Sequence, residues 1–133
     1  MKICMLLAGV DFPPDIRVEK EARALSVAGH QVLIVCDQRS DRPFESQWDG
    51  CRVKRIPAPE LLRKLNALIR RVSFHDWYWE RAVSQLLQKE KAEVLHVHDL
   101  PMVGTVLSLG KHYGIPVVAD LHENYPAALK YYR

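Results

Sequence analysis

Four short, unbroken apolar runs constrain this chain more than any other feature. They are Lys2-Ile-Cys-Met-Leu-Leu-Ala-Gly9, Gln31-Val-Leu-Ile-Val-Cys-Asp37, Glu93-Val-Leu-His-Val-His98 and Ile115-Pro-Val-Val-Ala-Asp-Leu121. Runs this short and this continuous predict strands covered on both faces, the environment of a parallel sheet flanked by helices. None approaches the ~20 residues needed to cross a bilayer. Asp11, Phe12, Pro13 and Pro14 follow the first run at once, so it does not read as a signal peptide.

The segments between the runs supply the crossovers. Ile16, Val18, Ala22 and Leu25 recur at helical spacing up to Gly29. Residues 39–50 are polar and read as a loop, and Cys51–Ile56 alternates like a strand with one wetter face. Leu61, Leu62, Leu65, Leu68, Ile69 and Val72 make one helical stripe, and Trp79, Ala82, Val83, Leu86 and Leu87 make another. A further helix from about Pro101 to Tyr113 closes at Gly114, and Pro126 suits the start of one that Arg133 cuts short. The order β-α-β-β-αα-β-α-β-(α) predicts an α/β domain with a mainly parallel sheet. Right-handed crossovers make 3-2-1-4-5 the natural strand order.

A length of 133 residues suits one such domain and not a two-lobed enzyme. The mild net charge of +3 argues against a nucleic-acid partner. Cys4, Cys36 and Cys51 form no C-x-x-C pair and lie in or beside strands, as buried reduced thiols of a cytosolic protein would.

Ligands of an open parallel sheet bind beyond the carboxyl ends of its strands, where the strand order reverses. That crevice gathers Gly9, Val10 and Asp11 after strand 1, His98 and Asp99 after strand 4, and His122 and Glu123 after strand 5. Arg17 lies in the first turn of helix 1, where the dipole opposes a cation. It therefore pairs with an acid such as Glu21 or Asp11, or faces a bound anion. A dinucleotide loop is excluded, because one glycine and two prolines replace G-x-G-x-x-G. His96 and His98 point to one face of their strand, so a metal site completed by His122 competes with a hydrogen-bonded core histidine. The 60–79 region mixes Arg63, Lys64, Arg70 and Arg71 with leucines and with Phe74, Trp77, Tyr78 and Trp79. That pattern fits a helix lying on an anionic membrane surface, and it also fits a crossover helix with its leucines on the sheet.

Phe12-Pro-Pro-Asp-Ile-Arg17-Val-Glu-Lys-Glu21 with Ala28-Gly29-His30-Gln-Val32 resembles the first loop, helix and second strand of family-4 glycosyltransferases. Glu93-Val-Leu-His-Val-His98-Asp99-Leu-Pro101 and Gly114-Ile-Pro116 through His122-Glu123 resemble that family's fourth and fifth strands. The resemblance implies the amino-terminal, acceptor-side, Rossmann-like half of a GT-B enzyme, with the nucleotide-sugar-binding half absent. Such enzymes transfer a sugar, usually with retention, from a nucleotide-diphosphate donor to a sugar or lipid-linked acceptor, without a bound metal or other cofactor. It implies Gly9, Val10 and Arg17 at the donor diphosphate, His122 and Glu123 at the transferred sugar, and Asp11, His98 and Asp99 on the acceptor side. A cytoplasmic protein, peripheral on the inner membrane face, would follow. So would a chain inactive by itself. A metal-dependent hydrolase using His96, His98 and His122, and a non-catalytic module that pairs with a separate second half, are the alternatives.

Overall fold

The computed structural model describes residues 1–121. The six strands are β1 (Lys2–Leu7), β2 (Gln31–Asp37), β3 (Glu45–Trp48), β4 (Cys51–Ile56), β5 (Val94–His98) and β6 (Val117–Asp120). The helices are α1 (Ile16–Val27), α2 (Glu60–Ser73), α3 (Trp77–Glu90) and α4 (Val103–Tyr113), the last preceded by a 3-10 turn over Leu100–Met102. His122, Glu123 and the helix expected from Pro126 lie outside the described residues.

The sheet order is β3-β4-β2-β1-β5-β6, parallel throughout except for the antiparallel β3–β4 pair. The predicted 3-2-1-4-5 is thus the path β4-β2-β1-β5-β6, with one edge strand added. That strand corrects the expectation of a plain loop over 39–50. Asp49 and Gly50, at φ 46° and 80°, make the two-residue turn that Asp-Gly favours in hairpins.

Side chains of period two divide the core. Ile3, Met5 and Leu7 of β1 face α1, packing with Phe12, Val18, Ala22, Ile34 and Val53. Cys4 and Leu6 face the other way, with Val35, Leu95 and Val97, against Trp79, Val83 and Leu87 of α3 and Val106 and Leu109 of α4. Continuous apolar strands are required here because both sheet faces are covered. All three cysteines are buried free thiols. Asp15 caps α1, its carboxylate accepting from the N–H groups of Arg17 and Val18 at 3.1 and 3.2 Å.

Helix α2 departs from the crossover expectation. Four of the six stripe residues face solvent: Leu61, Leu65, Leu68 and Val72 are 81%, 55%, 63% and 81% exposed, while Leu62 and Ile69 are half-buried. The polar face turns inward instead. Arg70 is buried, 3.2 Å from the Asp76 carboxylate, and Arg63 donates to the Gln38 carbonyl at 3.0 Å. Asn66 donates to Asp76 at 3.2 Å, and Asp76 also caps α3 by accepting from the Trp79 N–H at 3.0 Å. The α2–α3 joint is locked to α4 at Gly104, where a Cβ would meet the Phe74 carbonyl oxygen at 2.3 Å. No helix among the described residues is long and apolar enough to cross a membrane.

Candidate functional site

The loop after β1 is held by β2 and β4. Asp37, at the end of β2, is buried and accepts from the Gly9 N–H and the Trp79 indole N–H, both at 2.9 Å. Burial pushes its carboxyl up, against the pull of those two bonds. The Gly9 amide is therefore already donated, and the Val10 carbonyl accepts from the Asp37 N–H at 2.9 Å. Val10 itself is exposed on the loop.

Asp11 is tied beneath this loop. Arg55, whose side chain is 2% exposed, donates to it at 2.8 Å. The same guanidinium donates to the carbonyls of Phe12 and Pro43 and to the Ser46 hydroxyl, at 2.6, 2.8 and 2.9 Å. Burial alone would raise the Asp11 carboxyl. Hydrogen bonds from Ser40, Arg55 and the Phe12 N–H outweigh it and hold the group below the usual range. Period two puts Arg55 on the face of Cys51 and Val53, opposite Arg52 and Lys54, so the strand pattern signalled an inward-facing cation but not its partner.

On the α1 side of the sheet, β5 and β6 bring a second group together. Glu21 of α1 places one carboxylate oxygen 3.6 Å from His96 Nε2 and 3.8 Å from His98 Nε2. His98 Nδ1 lies 3.6 Å from Asp120, its register partner on β6. His98 is 2% exposed and neither ring nitrogen has a hydrogen bond among the described residues. Burial first, and His96 second, push its pKa down to about 4 despite Asp120 and Asp15. Both imidazoles are therefore neutral near pH 7, since burial also lowers His96. Neutral rings can each offer one donor and one acceptor to a hydroxyl group. The Glu21, His96 and His98 ligand atoms lie within 4.8 Å of one another, a set able to hold a cation. Glu21, not singled out for this role by the sequence, thus stands beside the pair of histidines.

Arg17 spans 3.9 Å to Asp15 and 3.6 Å to Asp120, so its acids are these and not the expected Glu21 or Asp11. It reaches the end of β6, beside His98. The N-terminal amides of α1 are filled by the Asp15 carboxylate, which leaves the guanidinium as the anion-seeking group of this turn.

Asp99 follows His98 at φ 77°, ψ 138°. Only glycine populates that region readily, and holding another residue there costs about 1–3 kcal/mol. Its N–H donates to the Asp120 carbonyl at 3.2 Å, and its carbonyl accepts from Met102. Strained residues that the surrounding structure holds in place concentrate at functional sites. The arrangement joins His98, Asp99, Asp120 and Arg17 at the carboxyl ends of β5 and β6, with Gly9 and Val10 at the end of β1. Asp11 is turned to Arg55 instead.

Two hollows flank the sheet, one at the opposite ends of its strands and one that reaches Glu21, His96 and Asp120 of the site itself. One, of about 210 Å³, opens at the amino ends of the strands between Lys2, Gln31, Gly50, Arg52 and Glu90. There Arg52 and Lys54 hold the Glu90 carboxyl down to about 2. The other is a shallow groove of about 630 Å³ over β5 and β6, floored by Leu25, Val94, His96 and Val118.

Comparison with solved structures bears on the fold. Sucrose-phosphate synthase from Thermosynechococcus elongatus aligns at 17% identity and TM-score 0.65, over 90% of this chain and 33% of that one. The E. coli trehalose-6-phosphate protein, solved bound with UDP-2-fluoro glucose, aligns at 13% and 0.56, over 92% and 33%. The C-terminal domain of a Pyrococcus furiosus hydrogenase aligns at 19% and 0.59, over 90% of each chain. The chain thus spans about a third of the first two structures and most of the hydrogenase domain. Likeness at these identities establishes a shared Rossmann-like fold, which hosts many activities. No curated protein sequence matches this chain. The sequence itself decides between them: the model of the glycosyl transferase 4-like domain matches residues 14–132. With that match covering nearly the whole chain, and with the fold to accompany it, the protein belongs to the glycosyl transferase 4-like family.

Proposed function

We propose that this chain is the acceptor-side half of a retaining glycosyltransferase that uses a nucleotide-diphosphate sugar, and that a second domain supplies the donor base contacts. The observation that carries the reading is the strained Asp99 beside buried, neutral His98 at the carboxyl ends of β5 and β6. Neutral imidazole and carboxylate together can bind a sugar hydroxyl without adding net positive charge. Arg17, reaching Asp120 at that same end, is the group suited to the donor diphosphate. The Gly9–Val10 loop approaches the diphosphate through its backbone. A phosphate taking the Gly9 amide must displace Asp37. His122 and Glu123, the residues after Leu121, are proposed at the transferred sugar, with no metal or other cofactor. The protein is proposed to work in the cytoplasm.

Release of nucleoside diphosphate from a panel of nucleotide sugars tests the reading. The 133-residue chain alone is expected to give none, and the product of joining it to a nucleotide-sugar-binding domain to give turnover. In that product Asp99→Gly relieves the strain, raising stability by about 1 kcal/mol while lowering turnover. Turnover by the chain alone, or an Asp99→Gly product of full activity, would overturn it. The Glu21–His96–His98 set favours one other reading, a metal-dependent hydrolase. Stoichiometric zinc in elemental analysis of the purified protein would support that reading.

A further inference from the structure

Two residues apart on β5, His96 and His98 lie on one face of the strand, the face that α1 covers. Their ring centroids are 4.4 Å apart, and the two Nε2 atoms lie 3.6 and 3.8 Å from the same oxygen of Glu21. Neither separation is a hydrogen bond. His98 is 2% exposed, and neither of its ring nitrogens has a hydrogen-bond partner among the described residues. A buried imidazole in that state is costly unless another ligand takes its lone pair.

The spacing is that of ligands around a metal ion. With bonds of about 2.0–2.2 Å, neighbouring ligands of a tetrahedral zinc stand about 3.3–3.5 Å apart. The two nitrogen–oxygen separations are slightly wider, a difference that small side-chain rotations close. All three donor atoms lie within 4.8 Å of one another.

We infer that Glu21, His96 and His98 bind a zinc ion, which ties helix α1 to β5 beside the carboxyl end of the sheet. Two imidazole nitrogens and one carboxylate oxygen suit zinc and disfavour magnesium or calcium, which take oxygen ligands. The surroundings agree with this. His98 Nδ1 lies 3.6 Å from Asp120. With Nε2 on the metal, Nδ1 carries the proton and faces that carboxylate, the arrangement that orients ligating histidines. Glu21 and Asp120 thus bring two carboxylates to the rings, and Arg17, 3.6 Å from Asp120, is the cation set against them. The groove of about 630 Å³ over β5 and β6 is lined by Glu21, His96 and Asp120, which gives the ion an entry path and leaves a fourth position for water.

The ion is assigned no chemical step. A metal-dependent hydrolase further requires turnover that follows the metal, which binding by itself does not supply. Where a sugar hydroxyl meets His98, as the glycosyltransferase reading has it, zinc takes the nitrogen that the hydroxyl needs and so opposes acceptor binding. Zinc binding is measured without any sugar, so its failure and the failure of that reading are separate results.

Isothermal titration of zinc chloride into the EDTA-treated chain is the test. One equivalent is expected to bind with a Kd of about 1 μM or tighter. Excess zinc should raise the melting temperature by about 5 °C or more, and magnesium should not. Cobalt(II) in place of zinc should give the visible absorption of a four-coordinate ion. Glu21→Gln and His96→Gln, at partly exposed positions that leave the circular dichroism spectrum unchanged, should each weaken zinc by more than about tenfold. Asp120→Asn reaches the ion only through His98 and should weaken it by about tenfold. The His75–Glu80 pair, at 3.0 Å, offers two donors elsewhere on the chain, and His75→Gln should leave binding unchanged. Absence of zinc binding overturns the inference. So does binding that survives both Glu21→Gln and His96→Gln, whether or not His75→Gln removes it.

Discussion

Arg55→Ala is expected to destabilise the domain by about 3–5 kcal/mol, the range for removing one partner of a buried ion pair. The Arg55 guanidinium is nearly sealed, and it joins Asp11, Phe12, Pro43 and Ser46. Alanine takes the cation from the Asp11 carboxylate, which keeps Ser40 and the Phe12 N–H, and removes the guanidinium donor of two carbonyls, in a place water reaches poorly. The β1–α1 loop and the segment before β3 lose their common anchor. At this chain length a loss of that size lowers the melting temperature by roughly 10 °C or more. Arg55→Lys restores the charge without the planar fork and should fall between the two. Equilibrium unfolding in urea reads the difference directly. A loss below about 1 kcal/mol would mean that the pair is worth no more than an exposed one.

Asp76→Ala comes next, with a similar expected loss of about 3–5 kcal/mol. Its carboxylate caps α3, receives Asn66 and neutralises Arg70, while its own N–H donates to Thr105 at 2.8 Å. Alanine removes a cap, worth about 1 kcal/mol, and leaves a buried guanidinium unpaired. Asp76→Asn keeps the cap and loses the charge, so it should cost less than alanine. The two variants also differ from Arg55→Ala in where they act. Hydrogen exchange should accelerate over residues 60–73 of α2, with β1 and β2 retaining their protection. Uniform acceleration across the sheet would contradict the view that Asp76 holds α2 in its outward-facing orientation.

The strands of the central sheet were legible because burial on both faces leaves an unbroken apolar record, as in Lys2–Leu7 and Gln31–Asp37. Right-handed crossovers then leave little choice of order. β3 was not legible in Glu-Ser-Gln-Trp, which pairs on one side only at the sheet edge, although Asp49-Gly50 carried the hairpin signal. The direction of α2 could not be read at all. Its leucine period is the same whether the stripe faces in or out, and the deciding fact is that Arg70 finds Asp76. At the site, the rule that ligands gather at the carboxyl ends of strands singled out Gly9, His98 and Asp99. It could not foresee that Asp37 takes the Gly9 amide, that Asp11 turns to Arg55, or that Arg17 reaches Asp120. Those pairings join residues far apart in sequence, where periodicity carries no information. The backbone strain at Asp99 likewise leaves no trace in residue type.

In the function proposed above, ligand meets this chain at the carboxyl ends of β1, β5 and β6. Amide chemical-shift mapping of the 15N-labelled chain, titrated with UDP-glucose as a nucleotide-sugar probe, tests it most directly. The predicted result is a footprint on Gly9, Val10, Arg17, His98 and Asp99 that leaves Gln31, Gly50 and Arg52 unmoved. A footprint confined to the hollow at the amino ends of the strands, or none at all, would contradict it.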